Sequence, residues 1–211
     1  MIRKIKSFNF QGLKIKVYPQ VYDPAEDTFQ LLESIEIALG DDLLEIGCGS
    51  GIISLYFAKK GVKVVSSDIS SYAVENTMEN YEINKDKIKG TVDVRTGDLF
   101  KPIKQNENFD VIVFNPPYLP TENKDIIKDE IWYNKAINGG KDGLKYTKKF
   151  IMQIENYLKN NGSGYFVFSS LSNRKKIDNI LSKKNFSYEI ISSIRYSNEK
   201  IEIYKIKKEK N

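Results

Sequence analysis

Leu43-Leu44-Glu45-Ile46-Gly47-Cys48-Gly49-Ser50-Gly51-Ile52-Ile53-Ser54-Leu55-Tyr56-Phe57-Ala58 changes its hydrophobic pattern once, at the glycines. Leu43–Ile46 is a short apolar run with one acid, the pattern of a strand buried on both faces. From Ile52 onward the apolar residues form a helical face. Strand, glycine turn and helix make up the first unit of a nucleotide-binding α/β fold. Glycines in such a turn let the backbone come close to a ligand lying across it. The spacing is not that of the dinucleotide fingerprint, because Ile52 stands at the third glycine position. It is not a Walker loop either, since no Gly-Lys-Ser/Thr follows. Glu45 would repel a phosphate at this turn. It suits a cationic ligand, for example one carrying an ammonium and a sulfonium.

Further strands repeat the theme of a polar residue at the C-terminal end. Val62-Lys63-Val64-Val65-Ser66-Ser67-Asp68 ends in an acid that can accept both hydroxyls of a ribose. Thr91 to Arg95 reads as a third strand, followed by Gly97-Asp98-Leu99, where Asp98 can accept from an adenine amino group. Asp110-Val111-Ile112-Val113-Phe114 is a buried parallel strand by its apolar run, and it runs directly into Asn115-Pro116-Pro117-Tyr118. Open α/β sheets bind ligands at this end of their strands. The prolines fix φ and donate no hydrogen bond, so the backbone leaves the sheet on one rigid path. That path holds an amide side chain, a backbone carbonyl and an aromatic ring together. Such a set suits a planar NH2 group: two acceptors take its two protons, and the ring lies against its flat face. The nitrogen of such a group is a weak nucleophile. It reacts when held in line with a strong electrophile, and acceptors on its N–H groups stabilise the charge that grows on it. No strong base is required, because the proton becomes acidic only after the bond forms.

Composition excludes several other chemistries. The 211 residues contain no histidine and one cysteine, Cys48. Ser-His and Cys-His nucleophile pairs, His-ligated metals, Cys-rich zinc sites and internal disulfides are therefore ruled out, and we expect no metal. A reducing compartment, the cytoplasm, is the natural one. No apolar stretch approaches the ~20 residues of a membrane span. Met1-Ile2-Arg3-Lys4 has no apolar region of signal-peptide type behind it. The net charge is +5. Acids are interleaved with the positive residues, so we favour a dispersed basic surface, with Lys205 to Lys210 as a solvated tail, over a nucleic-acid groove.

The remaining segments are consistent with one α/β domain. Residues before Val21, with Phe8, Phe10, Leu13, Ile15 and Val17, predict a short hairpin covering one end of the sheet. Helices are predicted over Phe29 to Ala38, Tyr72 to Asn84, Tyr146 to Leu158 and Arg174 to Lys184, with Asn161-Gly162 ending the third. Tyr165 to Phe168 is a fifth strand. Phe186 to Ile194 and Ile201 to Ile206 predict an antiparallel hairpin around Ser197-Asn198. Thr121 to Asn138, anchored by Ile126, Ile127, Ile131 and Trp132, is either a substrate-recognition loop that orders on binding or a plain surface connection.

Together these residues resemble the class I S-adenosylmethionine-dependent methyltransferases. The resemblance narrows at Val21-Tyr22-Asp23-Pro24-Ala25-Glu26-Asp27-Thr28-Phe29, which is similar to the Val-Tyr-Glu-Pro-Ala-Glu-Asp-Thr-Phe signature of the HemK-related protein glutamine methyltransferases. The signature is that of their short archaeal and eukaryotic branch, which modifies class I translation release factors. Ala136-Ile137-Asn138-Gly139-Gly140-Lys141-Asp142-Gly143 resembles that branch's Ala-Trp-x-Gly-Gly-x-x-Gly stretch. The similarity runs from about Val21 to Leu171. Asp23 replaces a Glu and keeps its charge. Ile137 stands where a Trp is usual, with Trp132 nearby as a candidate replacement. We expect no N-terminal helical domain of the kind the bacterial enzymes carry, as the short branch implies.

The resemblance implies a Rossmann-like fold: a mostly parallel seven-stranded sheet closed by a C-terminal antiparallel hairpin, with helices on both faces. We expect a single domain made of an N-terminal hairpin or strand extension (1–20), a cofactor-binding half (21–120), a substrate loop (121–145) and a C-terminal half (146–211). The resemblance implies S-adenosylmethionine as cofactor, with Thr28 in contact, Glu45 and Gly47 at the amino-acid end, Gly49 also binding it, Asp68 at the ribose, and Asp98 and Leu99 at the adenine. Asn115 would stand beside the methyl group and bind the substrate amide, with the Pro116 carbonyl and the Tyr118 ring. The implied reaction is methylation of the glutamine amide in a release factor's Gly-Gly-Gln loop. The alternative is methylation of an adenine, cytosine or guanine amino group, because these bases also present a planar NH2; little chain remains for a base-reading domain. A small zinc-binding activator protein is the implied partner. We expect it on the edge strand Thr91 to Arg95 and the helix Tyr72 to Asn84.

Overall fold

A computed structural model describes residues 4–120 and 131–209. Seven strands form one sheet in the order β5-β4-β3-β6-β7-β9-β8. They are β3 (Asp42–Ile46), β4 (Lys63–Asp68), β5 (Thr91–Thr96), β6 (Phe109–Phe114), β7 (Leu158–Ser169), β8 (Phe186–Tyr196) and β9 (Glu199–Lys208). The first five in chain order pair in parallel, and β9 inserts antiparallel between β7 and β8. The predicted sheet and its closing hairpin are thus present, with Ser197 at φ +49° in the tight loop between β8 and β9.

Side chains alternate across the sheet, which explains why the central strands read as continuous apolar runs. Leu43, Val111, Val113, Tyr165 and Val167 face one core layer, with Leu31 and Leu32 of α1 (Glu26–Ser34) and Ile53 and Phe57 of α2 (Ile52–Lys59). Leu44, Ile112, Phe114, Phe166 and Phe168 face the other, with Phe150 and Ile154 of α5 (Lys145–Ile154) and Ile177 and Leu181 of α6 (Arg174–Lys183). Between them lie α3 (Ser71–Ile83), on the first face, and α4 (Ile131–Ile137). Of the predicted substrate loop, residues 121–130, including Ile126 and Ile127, lie outside the described residues; Ile131 and Trp132 belong to α4.

Three expectations are corrected. The helix predicted from Phe29 starts at Glu26 and stops at Ser34. Glu26 and Asp27 occupy its first turn, where carboxylates favour a helix start, and Ile35 is already extended. The helix predicted from Tyr146 ends at Ile154, not at Asn161-Gly162. Leu158 is buried and already pairs with Phe109, and the register shift that follows marks a bulge in the pairing of β6 with β7. Gly162 sits within it, where a Cβ would stand 2.9 Å from the Asp110 carbonyl oxygen.

The third correction concerns the N-terminal hairpin, β1 (Lys6–Phe10) and β2 (Leu13–Val17). It forms its own two-stranded sheet and packs on α2 and α3 instead of covering the end of the large sheet. Its outer edge is satisfied by side chains. Asn76, Asn80 and Asn84, successive along one face of α3 and its C-cap, accept from the backbone N–H groups of Tyr18, Lys16 and Lys14 at 2.9, 2.9 and 2.8 Å. Their amide nitrogens donate back to the carbonyls of Lys16, Lys16 and Lys14. Three fully buried asparagines therefore act as a neighbouring strand would.

Candidate active site

The C-terminal ends of β3, β4, β5 and β6 open onto one cleft of about 1180 Å³, its mouth included. All eight residues predicted to hold a cofactor line it: Thr28, Glu45, Gly47, Gly49, Asp68, Asp98, Leu99 and Asn115. The glycine turn is held by the β4 end, where Gly47 and Cys48 N–H donate to the Ser67 carbonyl at 2.7 and 3.2 Å. At Gly51, φ is +76° and a Cβ would lie 2.6 Å from Thr77 Cγ2, so no larger residue fits. Cys48 is buried against Thr77, and burial pushes its thiol pKa well above the ordinary value.

Glu45 and Asp68 line the cleft, and burial acts on both. Glu45 accepts hydrogen bonds from Ser54 N–H and Ser54 Oγ. Burial pushes its pKa up to about 8, against the opposing effect of the Ser54 bonds. A buried acid in this condition is an unbalanced site that a cation in the cleft would restore to its ionised form. Asp68 braces the turn, accepting from Gly49 N–H at 3.1 Å and Ser70 N–H at 2.9 Å. Burial raises its pKa too. Asp98 is partly exposed beside Lys101. Leu99 is buried at φ +53°, its carbonyl accepting from Ser67 Oγ.

Asn115 separates this cleft from a smaller pocket lined by Tyr22, Asp27, Pro116, Tyr118 and Ile137 among others. Asn115 Nδ2 donates to Asp27 Oδ2 at 3.1 Å and to Thr28 Oγ1 at 3.3 Å. A carboxylate can only accept, so the amide nitrogen must face Asp27. The amide oxygen, Asn115 Oδ1, is buried and has no hydrogen-bond partner among the described residues. Tyr118 OH also donates to Asp27 Oδ2, at 3.1 Å, and Tyr22 OH reaches the same carboxylate at 3.3 Å. Burial, then the charge of Asp27, holds both phenols far above their ordinary pKa, so they remain donors.

The Gly-Gly-x-x-Gly segment braces the Pro-Pro turn from behind. Gly139 N–H donates to the Leu119 carbonyl at 2.9 Å. A Cβ at Gly139 would stand 2.8 Å from the Pro117 oxygen. Trp132 does not take the place of Ile137. Ile137 lines the smaller pocket, whereas Trp132 lines the larger cleft with its ring edge-on to Tyr72 at 6.4 Å.

Asp27 and Tyr22 were quoted as part of the N-terminal signature, but no reading of the sequence gave either a role at the site. An acid in the first turn of a helix looks like a response to the helix dipole. Only its burial, 4% exposed, shows otherwise.

A mostly parallel sheet closed by an antiparallel hairpin, with acids at successive strand ends around a glycine turn, is the fold that the methyltransferase resemblance implies. The model of the methyltransferase small domain matches residues 22–132. A putative protein N5-glutamine methyltransferase of Methanocaldococcus jannaschii is 40% identical over 186 residues, covering 88% of this chain and 90% of its own. The eRF1 methyltransferase catalytic subunit mtq2 of Schizosaccharomyces pombe is 33% identical over 193 residues, covering 82% and 83%. Among solved structures, the E. cuniculi Mtq2–Trm112 complex superposes with a TM-score of 0.68 at 24% identity over 90% of this chain and 99% of that one. The chain belongs to the HemK-related protein N5-glutamine methyltransferases, in their short archaeal and eukaryotic branch. It is a protein-glutamine N-methyltransferase, and S-adenosylmethionine is its cofactor. The cleft fits that cofactor: Glu45 is a buried acid waiting for a cation, and the glycine turn leaves the backbone bare.

Proposed function

We propose that the chain methylates the side-chain amide nitrogen of the glutamine in the Gly-Gly-Gln loop of a class I translation release factor, in the cytoplasm. The observation that carries the amide chemistry is Asn115 Oδ1, a buried acceptor with no partner among the described residues. It stands where a substrate NH2 needs one. Its orientation is enforced by Asp27 on the other side of the amide. The S. pombe relative is named for eRF1, and a Thermodesulfovibrio yellowstonii relative, 32% identical, is named a release factor glutamine methyltransferase.

In this reading Thr28, Glu45, Gly47, Gly49, Asp68, Asp98 and Leu99 hold S-adenosylmethionine, with Glu45 facing its cationic end. When bound, the cofactor supplies an electrophilic methyl group on a sulfonium. Asn115 Oδ1 accepts one amide hydrogen of the glutamine and the Pro116 carbonyl accepts the other. The Tyr118 ring lies against the amide plane. Together they fix the nitrogen and stabilise the positive charge that develops on it. The extra proton then leaves to water, so no residue need act as a strong base.

A small activator of the zinc-binding kind fits the edge of the sheet. β5 is an edge strand, and Met78 on the adjacent α3 is 53% exposed. The S. pombe relative is named a catalytic subunit, and the E. cuniculi protein was solved with Trm112. Replacing Val92 and Val94 by Lys should abolish activator binding; retained binding would remove β5 from the interface.

The test of the substrate is incubation with labelled S-adenosylmethionine, a release factor and total RNA from the same source. Label on the release factor that vanishes when its glutamine becomes alanine supports the reading. Label on RNA alone would reassign the enzyme to nucleic-acid amino groups.

A further inference from the structure

We infer that Asp27 is the positioning residue of the methyl-transfer site, setting which way the Asn115 amide faces and where the Tyr118 ring stands. The inference rests on the glutamine reading above. One carboxylate, 4% exposed, gathers hydrogen bonds from four residues: Thr28 N–H at 2.7 Å, Asn115 Nδ2 at 3.1 Å, Tyr118 OH at 3.1 Å and Tyr22 OH at 3.3 Å. Among the described residues no lysine or arginine forms an ion pair with it. Among the described residues its partners are hydrogen-bond donors, and bonds to an ionised acceptor are stronger than neutral ones.

The consequence follows from what an amide can do. Free of constraint, an asparagine side chain can present either its oxygen or its NH2 to a substrate. A substrate NH2 needs the oxygen. If Asn115 turned over, its NH2 would oppose the NH2 of the glutamine, donor against donor. Asp27 excludes that state because an amide oxygen facing its carboxylate would set acceptor against acceptor. It acts on Tyr118 similarly: the phenol can reach the carboxylate only with the ring standing beside Asn115. Asp27 need not touch the substrate to do this.

The residue is placed by the chain start of α1. Its backbone lies in the first turn, and Oδ1 accepts from the next residue's N–H, which fixes the side chain from its own end. Oδ2 is left to hold Asn115 and Tyr118. The contacts therefore tie the N-terminal signature to the end of β6, 88 residues on in sequence.

Asp27→Asn is the informative variant, since it keeps the size and an acceptor for Thr28 N–H but no longer forbids the turned-over Asn115. We expect kcat on the release factor to fall roughly 100-fold, the cost of a misplaced reacting group. S-adenosylmethionine affinity and the thermal midpoint should stay close to wild type. A loss confined to cofactor affinity, or an unchanged kcat, would overturn the inference. A second measurement does not depend on the variant folding or on the substrate. In wild-type protein the Asn115 side-chain NH2, assigned by its loss in Asn115→Ala, should show one proton that exchanges slowly with solvent. Two freely exchanging protons would overturn the inference. If wild type left the release-factor glutamine unmodified, the glutamine reading would fall while this spectrum still decided whether Asp27 holds Asn115.

Discussion

Gly143 lies so close to Tyr118 that a Cβ added to it would stand 2.4 Å from the Tyr118 carbonyl oxygen. The same atom would be 2.2 Å from Ser172 Oγ, whose hydroxyl donates to that carbonyl. Gly143 is also at φ +69°. Gly143→Ala should therefore cost stability, by at least about 1 kcal/mol, and should also displace Tyr118. Gly40 is the control: its φ is +96° but nothing lies within 4 Å of a new Cβ. Gly40→Ala should lose stability and keep its activity at permissive temperature, whereas Gly143→Ala should lose both. Equal activity in the two variants would show that the glycine segment does not shape the site.

Asn115 makes a sharper case. Asn115→Ala removes the free acceptor and should lower kcat by about 100- to 1000-fold, as loss of one preorganised polar contact does. Asn115→Asp keeps an acceptor but sets a second carboxylate against Asp27, where Nδ2 now lies 3.1 Å from Oδ2. It should be as inactive as the alanine variant. Steady-state rates with saturating cofactor would decide; an active Asn115→Asp would mean that the hydrogen bond to Asp27 is dispensable.

The acid at the glycine turn gives a pH prediction. Glu45 titrates near 8 in the folded chain, against about 4.3 for an unfolded Glu. Between these values the folded state holds a proton that the unfolded state has lost. Stability from this group therefore falls as pH rises, by up to about 1.4 kcal/mol per pH unit. Melting curves taken from about pH 5 to about pH 9 should show wild type losing ground to Glu45→Gln as pH increases. Parallel curves would show that Glu45 ionises normally.

The N-terminal hairpin depends on the asparagine ladder. Asn80 bonds to both the N–H and the carbonyl of Lys16 and to the Ser50 carbonyl. Asn80→Ala strands these buried groups and should cost about 2–3 kcal/mol, measured by denaturant unfolding. A loss no larger than that of a surface substitution would mean that the hairpin edge is hydrated instead.

Trp132 offers a direct reporter. It is the sole tryptophan, it lines the cleft, and Lys135 Nζ lies 4.2 Å from its ring centroid. Adding S-adenosylmethionine should change its fluorescence in a saturable way. Binding seen by calorimetry with no optical change would place the cofactor away from α4.

Much of this architecture was legible because parallel strands covered on both faces leave continuous apolar runs. Leu43–Ile46 and Val111–Phe114 could be read on that ground, and so could the residues at their ends. Most of the cleft residues were legible because ligands gather at strand ends, whereas Thr28, in the first turn of α1, came from the resemblance alone. What could not be read depends on partners distant in sequence. Asn76, Asn80 and Asn84 look like the solvated face of a helix. They are buried because β2, 64 residues away at the Lys16–Asn80 bond, brings its backbone to them. Asp27 had no role in the sequence for the same reason: Asn115 and Tyr118, which it meets, lie 88 and 91 residues away. Asn161-Gly162 looked like a helix stop, because a bulge in a strand and the end of a helix use the same residues.

The most direct measurement is site-resolved mass spectrometry of a release factor incubated with the enzyme, its activator and S-adenosylmethionine. Our account predicts one added methyl group, on the side-chain amide of the glutamine in the Gly-Gly-Gln loop, and none with Asn115→Ala. A methyl group placed reproducibly on any other residue, or its persistence with Asn115→Ala, would contradict the account.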